Sequence, residues 1–196
     1  MLRTLPPGAK LFCEFITPEE EEWLMNDLQD YEVDTEISRR RWHFLQHYNV
    51  LSSAIDLPAQ PLSDEFVQSD FYHRLIHTIG FVPQEVLVNE YTPVQGIVEH
   101  VDAQIFGPVI AIVSCGSNVD MFFRKRPVTH KCMIPRRSLL LLSGEARYTY
   151  THGIPKSKNY QHWNGDKYVR IPRTLRISYT FRSVVGMPQE SIEEWE

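Results

Sequence analysis

A chain of 196 residues is long enough for one domain with a full hydrophobic core. Its 42% apolar, 23% charged and 12% aromatic residues exclude collagenous, low-complexity and wholly disordered classes. The net charge is −5, yet residues 1–36 carry −8, residues 190–196 carry −4, and the body between them carries +7. A basic body between acidic ends is compatible with a polyanionic partner. The longest apolar runs, Val109–Val113 and Leu139–Leu142, fall far short of the ~20 residues of a membrane span. The N-terminus shows no long apolar run, so no secretory signal is expected. Three scattered cysteines, Cys13, Cys115 and Cys132, fit a reduced intracellular compartment rather than a disulfide framework. A monomer is expected.

Thr17-Pro-Glu-Glu is a helix start, with Thr17 as cap, Pro18 in the first helical position and Glu20 completing a capping box. The helix is expected to run to about Asp30, with Trp23, Leu24 and Leu28 on its apolar side. Residues 31–62 read as irregular around a basic, aromatic stretch, Arg39-Arg-Arg-Trp-His-Phe-Leu-Gln-His-Tyr48. A second helix is predicted from about Asp64 to Thr78, where Phe66, Val67, Phe71, Leu75 and Ile79 recur at helical spacing. After Pro83 the texture turns to short β-rich runs: Glu85–Tyr91, Ile97–Val101, Val109–Cys115, Asp120–Arg124, Ser138–Ser143, Ala146–Thr151 and Leu175–Arg182. Strands at this spacing without helical pattern between them point to a closed sandwich or jelly roll. Lys156–Arg173 is polar, contains Asn164-Gly165, and reads as a long loop or a hairpin extension. The expected organisation is an all-β core with N-terminal helices. Residues 1–82 form the helices and a substrate lid, 83–185 the jelly roll, and 186–196 an acidic tail.

His100-Val-Asp102 is an H-x-D. Residues i and i+2 of a strand share one face, so both side chains can reach one point. A third ligand is available from His130, His152 or His162. His152 is the best placed, closing the strand Ala146–Thr151 and preceding Gly153. Two histidines and one carboxylate leave open positions, which suits non-heme Fe(II). The last strand alternates, with Arg176, Ser178, Thr180 and Arg182 on one side and Ile177, Tyr179 and Phe181 on the other. Two arginines on one face suggest a cavity for a dianion, because the guanidinium fork pairs with carboxylate. Asn89 and Tyr91 stand i, i+2 on the strand leading to His100 and can reach the same cavity.

These segments resemble the AlkB-type Fe(II)/2-oxoglutarate dioxygenases. The resemblance rests on Asn89-Glu-Tyr91, His100-Val-Asp102, Ser114-Cys-Gly-Ser117, Pro135-Arg-Arg-Ser-Leu, Ser143-Gly-Glu-Ala-Arg-Tyr, Thr151-His152-Gly-Ile-Pro155 and Arg176…Arg182, in the family's order. It covers roughly residues 85–183. It implies a double-stranded β-helix, a jelly-roll variant. It implies Fe(II) on His100, Asp102 and His152, with 2-oxoglutarate and O2 as co-substrates. Asn89, Tyr91 and Arg176 would bind 2-oxoglutarate, Ser178 would assist, and Arg182 would lie near cofactor and substrate. The reaction would hydroxylate or oxidatively demethylate an alkylated nucleic-acid base. Arg39–Tyr48 occupies the place of the family's substrate lid. There Arg39, Arg40 and Arg41 could meet phosphate, and Trp42, His43, Phe44 and Tyr48 could stack on a base. The motif texture is similar to the eukaryotic branch that includes a tRNA wobble-uridine hydroxylase. The alternatives are the same chemistry on a protein docked at residues 31–62, and a non-catalytic jelly-roll binding module.

Overall fold

The computed structural model describes residues 3–49 and 52–195. Strand β1 (Ala9–Phe12) opens the chain and helix α1 (Pro18–Asn26) follows. The capping box forms as expected. The Thr17 hydroxyl accepts from the Glu20 N–H at 3.1 Å, and the Glu20 carboxylate accepts from the Thr17 N–H at 2.8 Å. The helix stops one turn before Asp30. Its last turn has no basic residue and is followed by Asp27 and Asp30, whose charges oppose the negative end of the helix dipole.

Residues 31–62 are not irregular as expected. They contain strands β2 (Arg41–Phe44), β3 (Gln46–Asn49) and β4 (Ala54–Pro58). In β2 the apolar side chains alternate, and Trp42 and Phe44 are each only 1% exposed. The predicted second helix is two helices, α2 (Asp64–Val67) and α3 (Asp70–Ile79). Ser69 divides them, since its hydroxyl donates to the Phe66 carbonyl at 2.7 Å and accepts from the Tyr72 N–H at 3.1 Å. Gly80 closes α3 in the left-handed region at φ +80.

The remaining strands are β5 (Glu85–Tyr91), β6 (Ile97–His100), β7 (Phe106–Gly116), β8 (Val119–Lys125), β9 (Val128–Ile134) and β10 (Ser138–Leu142). After helix α4 (Gly144–Tyr148) come β11 (Thr151–Ile154), β12 (Asn159–Trp163), β13 (Tyr168–Pro172) and β14 (Arg176–Val184). Six of the seven strands expected after Pro83 are present, Ala146–Thr151 being the exception, and Lys156–Arg173 folds as the β12–β13 hairpin. The stretch expected as a strand at Ala146–Thr151 is instead α4 and a turn. The cause is Arg147, a buried side chain whose guanidinium must find acceptors. It donates to the carbonyls of Asp102, Ala103, Phe106 and Gly107 at 2.6–3.2 Å.

Two antiparallel sheets form the jelly roll, one in the order β1-β10-β7-β14-β5-β2 and the other β6-β11-β8-β9. Side chains of both sheets meet in a core that includes Tyr91, Ile110, Phe123, Leu140 and Ile154. The opposite face of the larger sheet buries Val86, Val113, Tyr179 and Phe181 against Leu24, Phe66 and Phe71 of the helices. The alternation read in the last strand is therefore real. Ile177, Tyr179 and Phe181 face the helices, while Arg176, Ser178, Thr180 and Arg182 face the inter-sheet cavity. Among the described residues no helix is long and apolar enough to cross a membrane.

Phe66 shows no exposed surface and meets the rings of Trp23, Phe71, Tyr72 and Tyr179 at 5.5–6.1 Å. We expect Phe66→Ala to cost about 3–5 kcal/mol, read as a lowered urea midpoint at an unchanged m-value. A loss below about 1 kcal/mol would mean that the helical layer is not coupled to the sheet.

Candidate active site

The antiparallel pairing of β6 with β11 sets His152 opposite His100. Asp102 follows His100 by two residues. The ligand atoms of His100, Asp102 and His152 lie within 4.8 Å of one another. His100 Nδ1 is 2.8 Å from the Val98 carbonyl, which can only accept, so Nδ1 donates and Nε2 is left for the site. His152 Nε2 is 3.4 Å from Asp102 Oδ2. Burial opposes the charged form of Asp102, but Arg182, His152, His100 and Arg147 outweigh it and hold the carboxyl down at about 2. Burial, helped by the cations nearby and opposed by Asp102, lowers His152 to about 4. At neutral pH the site thus presents a neutral His152 and an anionic Asp102, the forms that bind a metal. Asp102 Oδ2 is buried with no hydrogen-bond partner among the described residues. The donor set and that orphaned oxygen fit a divalent ion. The structure brings together the three residues named from the sequence, with His152 lying within β11 rather than closing an earlier strand.

Two further residues support the triad. Arg147 pins the backbone from Asp102 to Gly107 through the four carbonyls described above. Gly153 permits the close approach of β11 to β6, since a Cβ there would lie 2.8–2.9 Å from Glu99 atoms.

Beside the triad is a cavity of about 70 Å³, lined by Asn89, Tyr91, Arg176, Ser178, Thr180 and Arg182 among others. Strand register produces this lining, because Arg176 pairs with Tyr91 and Ser178 with Asn89 across β14 and β5. Arg176 is 1% exposed. Its Nη2 donates to Ser114 Oγ at 2.9 Å, while Nε and Nη1 are buried without partners among the described residues. A buried guanidinium with open donors fits a carboxylate. Sequence reasoning named Ser114 only within the Ser114-Cys-Gly-Ser117 motif and gave it no role; its place opposite Ser178 across β7 and β14 brings it to Arg176.

Arg182 lines the same cavity but is already engaged. Nη2 donates to Asp102 Oδ1 at 2.6 Å, and Nη1 to both Glu85 oxygens at 3.0 and 3.2 Å. Its place is therefore behind the Asp102 carboxylate. Glu85 was missed, although it stands opposite Arg182 across β14 and β5.

The expected substrate residues are scattered. Arg39 Nε donates to Asn89 Oδ1 at 2.8 Å and its guanidinium lies 5.5 Å from the Tyr91 ring, so it contacts two residues that line the cavity. Arg40 pairs with Glu90 at 3.2 Å. Arg41 pairs with Asp34. Trp42 and Phe44 are in the core, which removes them as stacking surfaces. Partly buried His43 faces His47 and Asp34. Tyr48 is half-buried, edge-on to Phe106 at 5.2 Å. β2 joins the sheet because its apolar side chains outweigh its charges, and that pairing turns these residues away from a common surface.

The sequence profile of the 2OG-Fe(II) oxygenase superfamily matches residues 8–182. The chain belongs to that superfamily. It is 34% identical to uncharacterized protein L905 of Acanthamoeba polyphaga mimivirus, over 91% of this chain and 85% of that protein. It is 32% identical to the tRNA (carboxymethyluridine(34)-5-O)-methyltransferase ALKBH8 of Mus musculus over 95% of this chain, but spans only 32% of that protein. It is 27% identical to the probable RNA/DNA demethylase ALKBH6 of Danio rerio, over 94% of this chain and 88% of that protein. The solved structure of OsALKBH1 superimposes with a TM-score of 0.70 at 18% identity, covering 93% of this chain and all of that one, and shares the fold. The protein is an AlkB-type 2-oxoglutarate oxygenase, an oxidoreductase that uses Fe(II), 2-oxoglutarate and O2.

Two measurements check the site of this oxygenase. His100→Ala should abolish Mn(II) binding by calorimetry together with 2-oxoglutarate turnover. Near-normal values would remove His100 from the metal. Loss of the cationic partner of a buried carboxylate costs about 3–5 kcal/mol. Arg176→Met should thus raise the apparent 2-oxoglutarate constant at least about 100-fold, and a change under about fivefold would place the carboxylate elsewhere.

Proposed function

We propose that this oxygenase acts on a base of single-stranded or flipped nucleic acid, hydroxylating it or removing an N-alkyl group. The observation that carries the reading is a groove of about 550 Å³ outside the metal site. Ile97 and Ile154 line both the groove and the cavity, so the two are contiguous. Arg39, Arg124 and Lys156 border the groove with Phe122. Of these cations only Arg124 is neutralised, by Glu99 at 2.7 Å, among the described residues. Cations beside an aromatic and an apolar channel suit a phosphate-borne base. The names of the ALKBH8 and ALKBH6 relatives, which concern tRNA and RNA/DNA, support the same class.

In this reading His100, Asp102 and His152 hold Fe(II). Arg176 pairs with the distal carboxylate of 2-oxoglutarate, and Asn89, Tyr91 and Ser178 supply polar contacts along it. The hydrogen bond from Arg39 fixes Asn89 Oδ1, which turns the amide N–H2 toward the cavity. Arg182 keeps Asp102 anionic and oriented. Leu87, Ile112, Met121 and Ile154 wall the cavity against water. The loaded centre supplies the oxidation: 2-oxoglutarate and O2 yield succinate and CO2, and one oxygen atom enters a substrate C–H bond. Where that carbon is an N-methyl, the hydroxylated product releases formaldehyde. An intracellular setting is supported by Cys115 and Cys132, which are buried as free thiols.

The deciding assay measures succinate and formaldehyde with N-methylated single-stranded oligonucleotides and with N-methylated peptides, and nucleoside products by mass spectrometry. Oligonucleotides should stimulate turnover and peptides should not. Stimulation by peptides alone would replace this reading with a protein substrate.

A further inference from the structure

The β12–β13 hairpin carries features that the oxygenase site does not use. Its strand register sets Trp163 opposite Tyr168 and Gln161 opposite Arg170, so these four share one face. Trp163 is 51% and Tyr168 46% exposed. Their rings lie 5.0 Å apart, and the Arg3 guanidinium lies 4.3 Å from the Tyr168 ring. Exposed large aromatics held side by side are costly in water and suit a flat partner.

The charge around them has one dominant sign. Lys158, Lys167 and Arg170 are exposed, and among the described residues none has an ion-pair partner. The one carboxylate at the hairpin tip is Asp166. Below the rings lies a polar hollow of about 280 Å³, bordered by Asp120, Lys131, Ser157, Asn159, Gln161 and Arg170. Lys131 pairs with Asp120 Oδ2 at 2.9 Å. Asp120 is only 5% exposed, and its Oδ1 has no hydrogen-bond partner among the described residues. That oxygen accepts and cannot donate, so it calls for a hydroxyl or N–H from outside. A phosphate would be repelled there, whereas a ribose 2′-hydroxyl can donate to it. The hollow begins at Ser157, and the groove at the metal site ends at Lys156, so the two surfaces adjoin along the chain.

We propose that the exposed Trp163–Tyr168 face of this hairpin, with Lys158, Lys167, Arg170 and the Asp120 hollow, is a docking surface for single-stranded RNA. Bases stack on the two rings, phosphates meet the cations, and a ribose hydroxyl donates to Asp120. The surface would carry the strand leading away from the base held at the metal. It rests on the nucleic-acid reading above and adds a site that shares no lining residue with the cavity at the triad.

The test is fluorescence anisotropy of the full chain with a labelled 12-nucleotide single-stranded RNA and with DNA of the same sequence, at two salt concentrations. Trp163→Ala with Tyr168→Ala should weaken RNA binding about tenfold or more, while Trp163→Phe stays near wild type. Lys158→Gln, Lys167→Gln and Arg170→Gln together should reduce the log–log salt slope by about 2. Asp120→Asn should narrow the preference for RNA over DNA. Circular dichroism melting checks that each variant folds. If wild type binds RNA and the hairpin variants bind equally well, the hairpin proposal is overturned and the nucleic-acid reading stands. DNA bound as tightly as RNA overturns the RNA assignment. No affinity of wild type for either strand at low salt overturns both, and preferential binding of an acidic peptide identifies a protein partner instead.

Discussion

One guanidinium, that of Arg182, faces two carboxylates away from water. It bonds Asp102 with one nitrogen and Glu85 with the other. Asp102 sits just after β6 in the smaller sheet, and Glu85 is on β5 in the larger one, so the cluster ties the sheets together at the metal. Burial raises Glu85 to about 7 despite the attraction of Arg182, whereas Asp102, with more cations around it, stays anionic. Removing one partner of such a cluster strands a charge in low dielectric, a costly change. The Asp102 carboxylate therefore depends on Arg182 for both its charge and its direction.

Three buried arginines show how context divides one residue type among tasks. Arg147 spends its donors on backbone carbonyls and shapes a loop. Arg182 spends its donors on carboxylates and aims one of them. Arg176 gives one bond to Ser114 and keeps Nε and Nη1 open. Buried open donors destabilise a fold by about 1–3 kcal/mol each. A dianion in that cavity would relieve the cost, so under the proposed placement of 2-oxoglutarate its binding would stabilise the folded chain.

Much of this was legible in the sequence because it depends on a period of two. The i, i+2 pairs His100 and Asp102, Asn89 and Tyr91, and the run Arg176 to Arg182 each place side chains on one face without knowledge of the rest. The Thr17–Glu20 capping box is local in the same sense. What escaped depends on partners remote in sequence. Glu85 looks like any strand-end acid until Arg182 is set opposite it, 97 residues away. The helical path at 144–148 follows from carbonyls some 40 residues earlier, which Arg147 must reach. The β2 segment misled because three consecutive arginines, Arg39 to Arg41, lead into it, although Trp42 and Phe44 decide which way it faces. The relatives agree with the chemistry and leave this chain's own surfaces, the hairpin above all, to be read from its residues.

Gly153 has the widest reach for the smallest group. The position next to a metal histidine has no side chain because Glu99 of the neighbouring strand occupies the space a methyl would need. The separation of the two imidazoles is thus gauged by backbone contact rather than by side-chain packing. Side chains can relax by changing rotamer; a backbone contact between two paired strands has no such freedom. The spacing of the two histidines is in this way insulated from drift elsewhere in the core, and mutations that loosen the hydrophobic interior can erode stability well before they alter that spacing.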